Sequence, residues 1–305
     1  MTSRALQAVV ARPRARATLA QRRSLVGMAY AAPTAVIVGV FFLVPLVLVF
    51  WMSANRWRVL GSPSFNFPDN YANVADNQLF RDSVSFTLKY TAITTIVLSL
   101  VALGLALLVQ NQRPGVGFLR TAYFLPGAVG FAAASLLFYG FYSGSGPVDS
   151  LLRDLGITDE PINWLGTPDA ALFSTIAMVT WRFAGFNMLI LLTGLQSIPT
   201  DVYEAARSDG ASSWQTFRYI TLPLLRPTIA LMLVLSITGS LLAFDQFFIL
   251  TRGGPDGSTV SMVMVIFREG FTRFNLGSAA AISVLLLIVL VALNVIQLRV
   301  LGGER

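Results

Sequence analysis

The chain has 305 residues, 55% apolar and 12% charged, against about 25% charged in a typical soluble domain, which excludes an ordinary water-soluble protein. Cysteine and histidine are both absent, which excludes disulfides, thiolate or imidazole metal sites, and nucleophile or base chemistry built on those side chains. The net charge of +7 does not point to nucleic acid in so apolar a chain, where the placement of the basic residues carries the information.

A transmembrane helix needs roughly 20 mostly apolar residues, and six such stretches follow one another. Met1–Arg23 reads as a disordered, Arg-rich cytoplasmic tail that touches anionic lipid or acts only as a topology determinant. The first span lies in the uncharged run from Ser24 to Asn55, 32 residues long. Gln21-Arg22-Arg23-Ser24-Leu25 and Ala29-Tyr30-Ala31 bear a faint likeness to targeting signals. The apolar run is too long for a signal core, and its small residues precede it, so no cleavage is expected. A loop of about 30 residues, Arg56 to Phe86, leads to the second span at Thr87 to Val109, with Lys89 near its outer end. The third lies within Thr121 to Tyr142. A loop of about 27 residues, rich in Gly, Pro and Asp, then reads as turns with a short helix. The fourth span lies within Ala170 to Gln196 and contains Arg182; the fifth runs from Leu224 to Leu250 with Asp245 near one end; the sixth lies within Phe274 to Leu298. The body of the fold is therefore residues 24–305, an all-α integral membrane protein with no interposed soluble domain and no visible internal repeat.

Six spans put both termini on one side. With cytoplasmic termini the inner segments hold thirteen Arg residues and the outer segments eight basic residues, while acids divide four inside to ten outside. Short loops rich in Lys and Arg resist translocation, so both termini are cytoplasmic and the protein is a multi-pass protein of the cytoplasmic (inner) membrane.

Between spans four and five, residues 199–223 form a polar loop. Asp201 with Glu204, and Ser212 with Gln215, have capping-box spacing. Gly210 suits the left-handed residue that ends a first short helix, and Pro223 and Pro227 suit the first turn of the span that follows. The result is a rigid knob whose first helix presents Ala205 and Ala206 for close approach and Glu204 and Asp209 as acceptors for a partner's Arg or Lys. A capped interhelical loop without a partner fits the same residues.

Arg182 and Asp245 each cost about 2.5 to 3.5 kcal/mol at the centre of a span unless paired or hydrated. Either they line a translocation path with Asn187, Gln246 and the aromatics Trp181, Phe183, Phe186, Phe244, Phe247 and Phe248, or they form a salt bridge between helices, with a snorkelling Arg182 as a further alternative. Gly253-Gly254-Pro255 begins an outer turn, either a docking or gating loop or a tight connection.

The string Glu204-Ala205-Ala206-x-x-Asp209-Gly210-Ala211, followed by Phe217, Ile220, Leu222, Pro223 and Pro227, resembles the EAA loop of permease subunits in binding-protein-dependent ABC importers. Phe244-Asp245-Gln246-Phe247-Phe248-Ile249-Leu250-Thr251-Arg252-Gly253-Gly254-Pro255, and Trp181-Arg182 with Gly185-Phe186 ahead of Leu195-Gln196-Ser197-Ile198-Pro199, resemble the maltose and glycerol-phosphate type. The resemblance covers nearly the whole chain after about Ser24. It implies an EAA-type coupling helix, with Glu204, Ala205, Ala206, Asp209, Gly210 and Ala211 seated on a cytoplasmic ATPase. It also implies a second homologous permease subunit, two ATPase subunits that hold the ATP and magnesium, and an extracytoplasmic solute-binding protein.

The chain lacks a Gly-x-x-x-x-Gly-Lys-Ser/Thr string and hydrolyses nothing itself; no catalytic residue, metal site or cofactor is expected. The expected activity is ATP-driven import, by alternating access, of a carbohydrate or glycerol-phosphate-type solute. Arg182 or Lys89 suits a phosphate and the aromatics suit a sugar ring. The rivals are an ABC permease for another solute class, an ion-gradient-driven secondary transporter, which calls for paired broken spans with intramembrane carboxylates, and a membrane-embedded enzyme, which lacks acid-base residues here.

Overall fold

The computed structural model describes residues 14–57, 61–111, 113–144 and 146–301. Residues 1–13 of the expected tail, with Arg4 and Arg12, together with Arg58, Ser145 and Arg305, lie outside the described residues. The chain divides into two units, Met1–Trp51 and Met52–Arg305.

The first unit holds helix α1 (Arg14–Val38), a five-residue π-helical turn (Gly39–Leu43) and α2 (Val44–Ser53), which runs into the second unit. Helix therefore begins at Arg14, inside the segment expected to be disordered. The π-turn has a local cause: Pro45 cannot donate to the carbonyl of Phe41, so the helix widens one turn earlier, where the Val44 N–H reaches Gly39 O. Val26–Ser53 is long and apolar enough to cross a membrane.

The second unit opens with a two-residue antiparallel pairing, β1 (Asn55–Arg56) with β2 (Ser64–Phe65), and α3 (Asp69–Asp76). The buried Asn70 amide ties these together by donating to Ser53 O and Asn55 O, both at 2.9 Å. Helix α4 (Gln78–Val109) starts nine residues before the span expected from hydropathy, because Asn77 caps it through the Phe80 N–H at 3.4 Å.

α4 packs most extensively on α8 (Pro168–Gln196). Its buried face runs Ser83, Thr87, Thr91, Thr94, Leu98, Ala102, Ala106 and Val109, a helical stripe of small and hydroxyl side chains. Such stripes let helix backbones approach closely in lipid, where apolar area alone gives no association. The exposed pair Lys89 to Asp169, at 3.1 Å, joins α4 to the start of α8 and contributes little.

The third and fifth expected spans are not continuous rods. α5 (Val116–Phe124) and the 3-10 turn Leu125–Ala128 meet α6 (Phe131–Phe141) at a 97° bend. Pro126 and the two glycines Gly127 and Gly130 lie at the break, where the helical ladder loses a donor. The fifth is bent by 65° just after α11 (Leu222–Leu224), and its long helix α12 (Arg226–Leu241) ends well before Leu250. The chain then unwinds at Ala243 and Phe244 and continues as a π-turn, Phe247–Thr251.

The short helix α7 (Pro147–Asp154) occupies the loop between α6 and α8, expected to hold turns with a short helix. α13 (Met262–Phe267), its π-helical extension Arg268–Thr272, and α14 (Leu276–Leu301) complete the unit. α13 was not expected. It lies between the turn that begins at Gly253-Gly254-Pro255 and the sixth expected span. Among the described residues four helices are long and apolar enough to span a bilayer, or up to six if each bent pair is one span.

Candidate functional site

Two buried amides converge where α4, α8 and α12 meet. Asn187 on α8 donates to its own helix at Phe183 O, 3.0 Å, and accepts from Ser236 Oγ on α12 at 3.2 Å. Gln246, just past the unwound residues, donates to Tyr90 Oη on α4 at 3.2 Å. All four polar side chains are nine-tenths or more buried, and they border one small cleft of about 120 Å³ together with Ser240, Phe131, Phe183 and Phe186. Hydrogen-bonding groups between aromatic faces suit a hydroxylated ring.

Of the ten residues expected on a translocation path, the cleft unites Asn187, Gln246, Phe183 and Phe186 and leaves out the other six. Arg182 and Asp245 form no ion pair, so the salt-bridge alternative fails. The Arg182 guanidinium donates Nε–H to Val129 O at 2.8 Å and lies 4.4 Å from the centroids of both Phe131 and Phe183. Val129 is the extended residue that follows the 3-10 turn, so the bend in span three frees the carbonyl that satisfies the charge, and two rings hold it by cation–π contact. Asp245 is exposed on the chain and acts on Arg182 only through space. Phe244 and Phe248 stack at 5.0 Å, and both meet Phe267 on α13 at 5.3 and 5.1 Å. Phe248 borders a second, outer cavity instead.

Close backbone approach builds the cleft wall. A β-carbon on Gly185 would lie 1.9 Å from the Tyr123 carbonyl oxygen, so only glycine lets α8 pass the end of α5. Sequence reading missed Tyr90, Ser236 and Ser240. Their signal was the spacing of polar residues along single faces of apolar helices, Tyr90 with Thr94 and Ser236 with Ser240.

In the loop between α8 and α12, α9 (Thr200–Ser208) ends at Gly210 in the left-handed region, φ 76°, as its sequence demanded. α10 (Ser213–Thr216) carries the complete capping box: Gln215 N–H donates to Ser212 Oγ at 3.3 Å, and Ser212 N–H donates to Gln215 Oε1 at 2.8 Å. The other expected box does not form. Pro199 is the N-cap of α9 and Asp201 sits in its first turn without capping, where its charge still favours the positive helix end.

Ala206 is buried rather than presented, while Glu204, Ala205, Asp209 and Gly210 are exposed and Ala211 is half-buried. The reason is the helical period: Ala206 shares the inward face with Val202 and Tyr203, and Tyr203 Oη reaches Thr221 Oγ1 at 3.3 Å. An open groove of about 590 Å³ runs beside Tyr203, Glu204, Arg207 and Ala211.

The Gly253-Gly254-Pro255 segment is a tight connection held from both ends. Gly253 has φ 80°, Gly254 N–H donates to Thr251 O at 2.8 Å, and Thr259 Oγ1 donates back to Gly254 O at 2.7 Å. Among the described residues no group of three or more Asp or Glu stands close enough to hold a metal ion.

Comparison with known proteins agrees with this architecture. Residues 99–301 match the family described as binding-protein-dependent transport system inner membrane component. The chain is 33% identical to the trehalose/maltose transport system permease protein MalF of Thermococcus litoralis, covering 92% of this chain and 95% of that one. It is 34% identical to the sn-glycerol-3-phosphate transport system permease protein UgpA of Agrobacterium fabrum, covering 88% and 92%. In fold it is similar to a chain of a bacterial alginate ABC transporter solved with alginate pentasaccharide-bound periplasmic protein, TM-score 0.79 at 22% identity, over 90% of this chain and 93% of that one. With the family's signature across two thirds of its length and relatives matched almost end to end, the chain belongs to the inner membrane components of binding-protein-dependent transport systems, the translocation subunits of ABC importers.

Proposed function

We propose that the chain moves a saccharide or glycerol-phosphate compound inward through the cleft between α4, α8 and α12. The observation that carries this reading is the convergence of Asn187, Ser236, Tyr90 and Gln246, buried and hydrogen-bonded, on one cavity flanked by Phe131, Phe183 and Phe186. A sugar permease requires such a lining, polar groups for hydroxyls and ring faces for the apolar side of the sugar. The named relatives carry trehalose or maltose and sn-glycerol 3-phosphate, and those solute classes fit the lining.

In this reading the chain crosses the membrane six times, each bent pair counting as one span, with both termini cytoplasmic. Glu204, Ala205, Asp209 and Gly210 are exposed on a knob fixed by Gly210 and the Ser212 cap, which supports their role as the docking face for an ATPase subunit. Ala206 and Ala211 set the spacing behind that face. A second permease subunit completes the pathway, two ATPase subunits supply ATP and magnesium, and an extracytoplasmic binding protein delivers solute. Two broken spans also suit an ion-driven carrier, but the carboxylate such a carrier would use, Asp245, lies outside the cleft.

The test is uptake by the assembled transporter with an ATPase partner that binds but does not hydrolyse ATP. Uptake is expected to cease, and continued gradient-driven uptake would reject the reading. Glu204→Lys is expected to abolish ATP-coupled uptake while leaving membrane insertion intact.

A further inference from the structure

The second cavity, at the outer end of the broken fifth span, has a character of its own. It is an open cavity of about 710 Å³ between α6 and α13, bordered by Leu136, Tyr139, Phe248, Phe267 and Met264 together with three arginines, Arg252, Arg268 and Arg273. Arg273 is neutralised by the nearly buried Glu269, Nη1 to Oε1 at 2.6 Å. Arg252 and Arg268 have no carboxylate within 4.0 Å among the described residues, and no Asp or Glu borders the cavity.

Two uncompensated guanidinium groups, Arg252 exposed and Arg268 half-buried, therefore face one open space with largely apolar walls, and their summed charge attracts an anion. Their positions are set by the fold. Arg252 is held at φ 52° immediately before Gly253, and Arg268 Nη2 lies 2.8 Å from where a β-carbon on Gly253 would stand. Gly253 thus leaves room for the second guanidinium beside the first. A ladder of aromatic rings runs along this space: Phe244 on Phe248, Phe248 on Phe267, and Phe267 on Phe271 at 5.2 Å.

We propose that this outer cleft is a subsite for the anionic group, carboxylate or phosphate, of a sugar-type solute, with Arg252 and Arg268 as its ligands and the Phe248 and Phe267 rings as a platform for the sugar ring. The assignment rests on the permease reading and narrows its solute class to acidic saccharides or sugar and glycerol phosphates. A planar guanidinium suits both anions because it donates two parallel N–H groups.

The experiment uses the complete transporter in phosphatidylcholine nanodiscs, with digalacturonate and sn-glycerol 3-phosphate as probes and the neutral digalactose and glycerol as controls, read by calorimetry. The anionic probes are expected to bind and the neutral ones not. R252Q/R268Q is expected to weaken binding by roughly 10-fold or more, as loss of hydrogen bonds to a charged group implies, and R252K/R268K, which keeps the charge but not the paired N–H donors, to weaken it less. Binding of neutral and anionic probes alike, undetectable anion binding, or an R252Q/R268Q variant that binds as wild type would overturn the assignment. In discs with one-third phosphatidylglycerol, roughly enough to occupy a headgroup site, probe binding is expected to persist. Its loss would identify a lipid headgroup site and overturn the solute assignment. ATP-driven uptake of the same four probes by the wild-type transporter separates the two levels. No uptake of any saccharide or glycerol phosphate refutes the permease reading, whereas uptake without charge preference refutes this subsite alone.

Discussion

Gly185 offers the sharpest structural test, because its effect follows from one measured approach. In Gly185→Ala the new methyl would meet Tyr123 O at 1.9 Å, Tyr123 C at 2.4 Å and the Phe124 Cα at 2.8 Å. These are backbone atoms of α5, so the strain cannot be relieved by a rotamer change. The whole end of α5 must withdraw, and with it the bend that presents Val129 O to Arg182. Overpacking of this kind costs up to about 3 kcal/mol. Replacing a helical glycine by alanine returns about 1 kcal/mol of propensity. The net loss is about 2 kcal/mol, or a fall in Tm of roughly 4 °C.

The comparison variant is Gly104→Ala on α4, where nothing lies within 4 Å of the added carbon; it is expected to be neutral or slightly stabilising. Thermal unfolding of the assembled transporter, followed by size-exclusion fluorescence, measures both. If Gly185→Ala melts no lower than Gly104→Ala, the packing of α8 on α5 described above is wrong.

Two further outcomes follow from the same region. Gln246→Leu removes the donor to Tyr90 Oη and one polar group of the cleft; uptake is expected to fall by roughly 10-fold or more, on the scale of an unmade buried hydrogen bond, while complex assembly measured by co-purification is unchanged. Arg182→Met removes both the bond to Val129 O and two cation–π contacts. A loss of about 2 to 4 kcal/mol is expected, seen as a lower yield of folded complex, whereas Asp245→Asn is expected to leave that yield unaltered because the two residues share no ion pair.

Hydropathy made the long helices legible, since a run of apolar residues needs no tertiary information to be read as a span. It overestimated continuity. The break around Pro126 and the unwinding at Ala243 and Phe244 lie inside apolar sequence, and composition alone does not register a bend whose freed carbonyl is claimed by a distant side chain, as Arg182 claims Val129 O. The loop after α8 was read well at Gly210 and Ser212, whose side chains or backbone freedom act locally. Asp201 misled because its spacing to Glu204 matched a capping box, while Pro199, fixed in extended conformation at ψ 141°, already ended the preceding turn. The inner cleft was half visible. Asn187 and Gln246 stand out as amides in apolar helices, but Tyr90 and Ser236 become partners only through the packing of α4 and α12. The outer arginines carry no sequence pattern at all, being brought together by the turn at Gly253.

The account depends on the exposed face of α9 being the contact through which an ATPase drives the helix bundle. The chain contains no cysteine, so Ala205→Cys creates a unique thiol on that face. In the assembled transporter, a short thiol-directed photocrosslinker at residue 205 is predicted to join this chain to the ATPase subunit in high yield, and a bulky maleimide attached there beforehand to prevent ATPase assembly. A thiol that labels at the same rate with and without the ATPase, and yields no crosslink to it, would contradict the account.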